Sequence, residues 1–300
     1  MTGPMTGPVW ALRAMPGVFV VIWSTGFVVA RYGMPHAGPM AFLSVRYLLS
    51  ALAFGLWVAL ARARWPSSRT QVAHLAVTGL LIQAGYLGGV WAAVKAGMGA
   101  GLVALIVGLQ PVLTALWLGA RGGTGQRVAG WQWLGLALGL AGLLLVVGDR
   151  LQLGQAQPLN LALAVLALGS ITAGTLYQKR WVQACDVRTA SLVQLLAAFA
   201  VTAPLAWLES APFDLHAELM GAMAWSVLVL TLGGSSLFYL LIQRGAAAEV
   251  TSLMYLVPPC TALMAWGLFG ESLGLHAVVG MAVTALGVAV VVRAGKPAVP

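Results

Sequence analysis

Arg46 is the one charge well inside a long apolar stretch, about seven residues beyond Pro39. At bilayer depth an unpaired Arg costs roughly 2.5–3.5 kcal/mol on insertion scales, so it needs a partner. Two readings fit. Its planar fork can neutralise the carboxylate of a bound solute. Alternatively it bonds carbonyls of neighbouring helices, or reaches the surface along its flexible stem, as a structural clamp. Other polar residues recur at helical spacing in apolar stretches. Trp23, Ser24 and Thr25 are central to the first, and Ser24 is echoed by Thr172. Gln83 and Tyr86 share a face, as do Gln110, Thr114 and Trp117. Thr231, Ser235 and Tyr239 form a third such set, and Thr251, Tyr255 and Pro258 a fourth. If these faces point inward, they line a cavity with aromatic walls and a few hydrogen-bonding groups, suited to a small amphipathic or zwitterionic solute. The candidate substrate contacts are therefore Trp23, Ser24, Arg46, Gln83, Tyr86, Gln110, Thr172, Ser235, Tyr239 and Tyr255. Each competes with a packing role, because Ser or Thr in an apolar helix commonly bonds its own i−4 carbonyl or a neighbouring helix.

Pro111 and the pair Pro258-Pro259 interrupt two apolar stretches near their middles. Proline removes a backbone donor and frees the carbonyl one turn earlier. These positions are candidate hinges, with a simple kink as the alternative.

The elements that position these residues follow from composition. Of 300 residues, 60% are hydrophobic and only 8% charged, with a mean hydropathy of +0.92. A soluble domain needs about 25% charged residues, so most of this surface must face lipid. A helix crosses about 30 Å of hydrocarbon with about 20 apolar residues. Ten stretches qualify, near 15–33, 39–60, 72–93, 98–119, 131–148, 159–177, 189–207, 219–242, 247–269 and 275–292. The expected fold is an all-α membrane protein. Short loops make successive helices antiparallel.

The second half echoes the first. Gly26, Gly97 and Pro111 recur as Gly174, Gly245 and Pro259, each 148 positions later, and Gly135 and Gly142 recur as Gly280 and Gly287. The division is a tail over 1–14, a five-helix repeat over 15–148 and a second over 159–293. Five spans is an odd number, so the second repeat enters the membrane from the opposite side. A solute site belongs between two such inverted halves.

The net charge is +9. With the N-terminus cytoplasmic, Arg13, Arg62, Arg64, Arg69, Arg121, Arg127, Lys179, Arg180, Arg188, Arg244, Arg293 and Lys296 fall on the inner side. Only Arg31, Lys95 and Arg150 fall outside. The positive-inside effect explains this basicity, and nucleic-acid binding is not expected. Both termini are then cytoplasmic in a multi-pass inner (plasma) membrane protein.

Soluble catalytic patterns are absent. Gly122-Gly123-Thr124-Gly125 lacks the Lys-Ser/Thr of a phosphate cradle. His36, His74, His216 and His276 are scattered near the membrane surfaces and are expected to form no ligand pair, and Cys185 and Cys260 read as free thiols. No metal, cofactor or catalytic residue is expected. No Asp or Glu sits at mid-span, so nothing supports proton coupling. Gly85 with Gly89, Gly97 with Gly101 and Gly135 with Gly139 are small-xxx-small pairs for close helix packing.

The motifs Trp23-Ser24-Thr25-Gly26-Phe27, Arg46-Tyr47, Gly108-Leu109-Gln110-Pro111 and Phe269-Gly270-Glu271, in this order within a five-plus-five pattern, resemble the EamA family of the drug/metabolite transporter superfamily. The resemblance covers nearly the whole chain. It implies ten helices, cytoplasmic termini and export of small metabolites such as amino acids. The chain departs from internal symmetry at Glu271, because Gly119-Ala120-Arg121 stands at the corresponding place in the first half. The leading expectation is an inner-membrane exporter of amino acids or related amphipathic solutes, working by alternating access and with a lipid bilayer and a small solute as partners. The alternatives are an intramembrane lipid-modifying enzyme and a non-transporting scaffold.

Overall fold

The computed structural model describes residues 9–110, 112–114, 117, 130–152, 156–234, 237, 256–271 and 274–294. The described elements are helices: α1 (Val9–Gly33), α2 (Pro39–Leu60), α3 (Arg69–Lys95), α4 (Ala100–Val107) and α5 (Gly130–Gln152). They are followed by α6 (Pro158–Trp181), α7 (Val187–Ala206), α8 (Ala217–Gly234), α9 (Val257–Phe269) and α10 (Leu275–Ala294). No strand occurs among the described residues. Five helices, α2, α3, α6, α7 and α8, are long and apolar enough to cross a membrane by themselves, and shorter apolar helices accompany them.

Local chemistry sets the helix ends. Pro39 occupies the first turn of α2 and Pro158 that of α6, where the missing N–H breaks no intrahelical bond. The Ser68 hydroxyl accepts from the Gln71 N–H and starts α3. Asp186 does the same for α7 through the Arg188 N–H. Gly270, in the left-handed region at φ 65°, closes α9.

The outer surface is apolar. Leu52 and Leu56 of α2 are each 62% exposed, and Leu166, Leu228, Leu263 and Leu286 are similarly uncovered. Burial of the opposite helix faces is no stronger in apolar character than this lipid-facing surface, so association rests on close van der Waals fit and interhelical hydrogen bonds. That fit is close between α5 and α10. A side chain at Gly142 would strike the Gly280 carbonyl at 2.5 Å, and one at Gly287 would strike the backbone of Gly135 and Gly139. Two duplicated glycine positions therefore face each other across one helix crossing. The most extensive packing is α5 on α10 and α2 on α7. Further contacts run from α1 to α8 and α9, and from α6 to α3 and α4.

Two helices contain wide turns. Leu80–Leu87 of α3 and Trp225–Gly234 of α8 are π-helical, a rare geometry concentrated at functional sites. The Thr231 hydroxyl donates to the Ser226 carbonyl five residues earlier, at 2.8 Å, which supports the wide turn.

Candidate functional site

Both π-helical stretches face the same cavity. Its atom-free space, counting the open mouth, is about 690 Å³. Trp23, Gly26 and Phe27 contribute from α1, Arg46 from α2, Leu230 and Thr231 from α8, and α3 supplies the remaining wall from Ile82 to Trp91. Four of the expected contact residues, Trp23, Arg46, Gln83 and Tyr86, thus meet at one place although they come from three helices.

Arg46 dominates the electrostatics. It is 7% exposed, and its Nε and Nη2 donate to the Thr231 hydroxyl at 3.3 and 3.2 Å. Among the described residues no carboxylate lies within ion-pair distance of it. A guanidinium has five N–H donors, and a single hydroxyl oxygen satisfies only part of that fork. The cation is held in place by α8, with no carboxylate among the described residues beside it. Around it the wall is aromatic and aliphatic, with the Gln83 side chain as a further polar group. Tyr47 does not line the cavity. Its hydroxyl donates to the Gln83 carbonyl at 2.6 Å and anchors the π-turn that presents Gln83. Trp91, stacked on Phe42 at 4.2 Å, stiffens the inner wall.

The other expected residues fall elsewhere. Ser24 is fully buried, and its hydroxyl donates to the Val20 carbonyl at 2.8 Å and to the Val257 carbonyl at 3.5 Å. It joins α1 to α9 at a crossing also bonded by Thr261 to the Ser24 carbonyl. Thr172 donates to its own i−4 carbonyl, Leu168, at 2.7 Å. Gln110 reaches across to the Thr175 hydroxyl at 3.2 Å. These three are interhelical or intrahelical bonds away from the cavity wall. Pro258 and Pro259 stand in the first turn of α9, where Pro258 packs against Gly108. Pro111, Ser235, Tyr239 and Tyr255 lie outside the described residues.

Contacts between the two halves of the chain lie on both faces of the bundle. On the face carrying residues 34–38, the Glu209 carboxylate accepts from the Met40 and Ala41 N–H groups at 2.9 and 3.0 Å. Glu271 accepts from the Ala100 N–H at 3.1 Å. Each carboxylate thereby supplies the anion that a helix N-terminus favours, at α2 and α4 respectively. Glycines 38 and 99 precede these helices and offer no capping side chain, and a Cβ at either would collide with the incoming carboxylate. The Lys95 ammonium donates to the Met34 carbonyl at 2.6 Å on the same face. On the opposite face the Gln71 side chain donates to the Gln183 carbonyl at 2.8 Å and accepts from its N–H at 3.3 Å. His74 hydrogen-bonds the Tyr177 hydroxyl at 2.7 Å, and Thr189 donates to the Arg64 carbonyl at 3.0 Å.

Sequence reasoning missed Thr231's bond to Arg46, the Tyr47 anchor and the capping role of Glu209. The capping had a signal: helices opening on Gly38 and Gly99 leave orphan N–H groups that need an acceptor from elsewhere. Glu271 lacks a partner at the symmetric sequence position, and Glu209 performs the comparable task from a different helix end.

The sequence profile of the EamA-like transporter family matches residues 16–148 and again 159–293. The chain is 25% identical over 273 residues to the uncharacterized inner membrane transporter YedA of Escherichia coli K12, covering 90% of this chain and 84% of that protein. It is 30% identical over 161 residues, 54% of this chain and 51% of the relative, to a protein of the same strain named a probable amino-acid metabolite efflux pump. A solved crystal structure with 17% sequence identity shares the fold at a TM-score of 0.62 over 94% of this chain and 97% of that one. With matches spanning both halves, an apolar helical surface and a mostly apolar cavity holding a buried Arg inside it, the chain belongs to the EamA-like transporter family, within the drug/metabolite transporter superfamily, and is a multi-pass membrane transporter.

Proposed function

We propose that this chain exports small carboxylate-bearing amphipathic metabolites, amino acids or their relatives, across the inner membrane by alternating access. The observation that carries this reading is Arg46, a buried cation facing a cavity with no anion beside it among the described residues. A solute carboxylate supplies the missing charge through a bidentate pair. The aromatic and aliphatic wall takes the solute's apolar body, and the Gln83 side chain is available for a second polar group. The relative named as an amino-acid metabolite efflux pump supports this class of solute.

The architecture of the proposal is two inverted five-helix repeats, 15–148 and 159–293, making ten spans with both termini cytoplasmic. The contact pattern supports it. α1 touches α8 and α9, while its counterpart α6 touches α3 and α4. The pairs α2 with α7, α4 with α9 and α5 with α10 then lie across the exchange axis. Such an arrangement interconverts two conformations when the halves trade roles. Pro111 and the Pro258-Pro259 pair are the proposed hinges.

Counterflow in proteoliposomes with a panel of amino acids tests the reading. Saturable flux for at least one is expected, and none for any amphipathic solute refutes it. Cysteines at Ser67 and Phe213, in a background lacking Cys185 and Cys260, test the topology. Labelling of both from the same compartment contradicts the inverted arrangement.

A further inference from the structure

His36 lies in the turn between α1 and α2, while Asp214, His216 and Glu218 lie 178 to 182 positions later at the start of α8. The fold brings them together on the face that carries residues 34–38. The rings of His36 and His216 stack, with centroids 4.2 Å apart and planes within 9°. His36 Nε2 is 3.2 Å from a Glu218 carboxylate oxygen, and His36 Nδ1 is 3.7 Å from one of Asp214. The backbone fixes the pairing, because the Asp214 N–H donates to the His36 carbonyl at 2.8 Å. His36, His216 and Glu218 each offer a ligand atom within 4.8 Å of the others.

We propose that His36, His216 and Glu218 bind one divalent transition-metal ion of the zinc class, and that the bound ion fastens the two halves of the chain on this face. Two imidazoles and one carboxylate form a ligand set suited to zinc, with water in the fourth position. Zinc bonds of about 2.0–2.2 Å place tetrahedral ligands about 3.4 Å apart. The ligand atoms therefore need to converge by up to about 1.4 Å, and the His216 ring must turn out of its stack on His36 so that both nitrogen lone pairs point at one ion. The exposure of His216 and Glu218 leaves room for that turn. Asp214 completes the arrangement. A metal-bound histidine commonly donates its second ring N–H to a carboxylate, and His36 already has one beside its Nδ1. With Nε2 ligating, the proton of the neutral ring sits on Nδ1, facing Asp214. His216 gives up the long 3.3 Å bond that its Nδ1 accepts from the Glu218 N–H, and water takes that place at the exposed helix start. Two carboxylates balance the charge of the dication.

The site crosses between the halves at the face where Glu209 and Glu271 cap α2 and α4. Opening this face separates His36 from α8. A metal that binds only the closed arrangement shifts the protein toward it.

The test uses the full-length chain in detergent without a histidine tag, stripped with chelator and titrated with zinc by calorimetry and with cobalt by optical absorption. One metal per chain is expected. His36→Gln and His216→Gln each abolish saturation, Asp214→Asn weakens binding by about 10- to 100-fold, and His276→Gln leaves it unchanged. Hydrogen exchange of the unmodified protein supplies an arm independent of variant folding: zinc should slow exchange in both 33–41 and 213–220. Lack of saturable binding, unchanged binding in His36→Gln, or protection confined to one segment overturns the proposal. None of these results depends on which solute is carried, so counterflow and metal titration fail independently.

Discussion

Replacing Arg46 by Gln removes the cation and its fork while keeping a shorter, neutral polar side chain. At 4 Å and an effective dielectric of about 20, a guanidinium and a carboxylate attract by about 4 kcal/mol. Part of that offsets the solute's lost hydration, and a truncated buried charge pair typically costs 2–5 kcal/mol. The cavity has an open mouth, which places this site at the lower end, near 2 kcal/mol, or about 30-fold in affinity at 1.4 kcal/mol per decade. Arg46→Lys keeps charge but not the bidentate geometry and should lose about three- to tenfold, since one charged hydrogen bond of two remains. The assay is counterflow of an amino acid and of its own carboxamide through the same proteoliposomes. The acid should lose about 30-fold in Arg46→Gln while the amide changes by less than about threefold, on the same charge argument. Equal loss for acid and amide, with normal protein level and unchanged thermal unfolding, refutes the reasoning and returns Arg46 to a clamp on Thr231.

Other perturbations test the scaffold. Gly142→Val drives a side chain into the Gly280 carbonyl and Thr284 and should destabilise by about 1–3 kcal/mol as overpacking, seen as a lowered melting temperature. Gly55→Ala, with open space around it, should be neutral or stabilising by up to about 1 kcal/mol. Glu209→Ala leaves the Met40 and Ala41 N–H groups without their acceptor, and loss of a cap costs about 0.5–2 kcal/mol. Hydrogen exchange over 39–43 should accelerate accordingly, and unchanged protection contradicts the cap. Hydrogen bonds from the Arg188 side chain hold the Asp186 carboxyl below the usual carboxylate range, against the opposing effect of partial burial. A lowered native pKa stabilises above the ordinary carboxylate pKa and is lost as pH falls through the native one. Asp186→Ala should therefore lower stability at neutral pH and make little difference in strong acid. A constant difference from pH 7 to pH 2 would contradict this.

The histidines illustrate where sequence reading stops. Each stands alone in its local segment, yet His36 and His216 end ring to ring because α1, α2 and α8 meet on one face. Polar faces behave similarly. Gln83 with Tyr86 and Arg46 converge on the cavity, while Ser24 and Thr172, equally polar and equally central in their stretches, spend their hydroxyls on backbone carbonyls. Helical periodicity places all of them on plausible faces and gives no means to choose among them.

Composition alone determined that lipid is the solvent, because 8% charged residues cannot cover 300 in water. The lengths of the apolar runs, the Pro starts of α2 and α6 and the isolation of Arg46 were also local properties, readable along the chain. Tertiary structure decided which faces meet, which hydroxyls remain available and which ends are capped across the halves. In lipid both sides of a helix are apolar, so hydrophobicity does not mark the packed side. Shape and hydrogen bonding do, at crossings such as Gly142 on Gly280 and Thr231 on Arg46, and those exist only once distant segments are in contact.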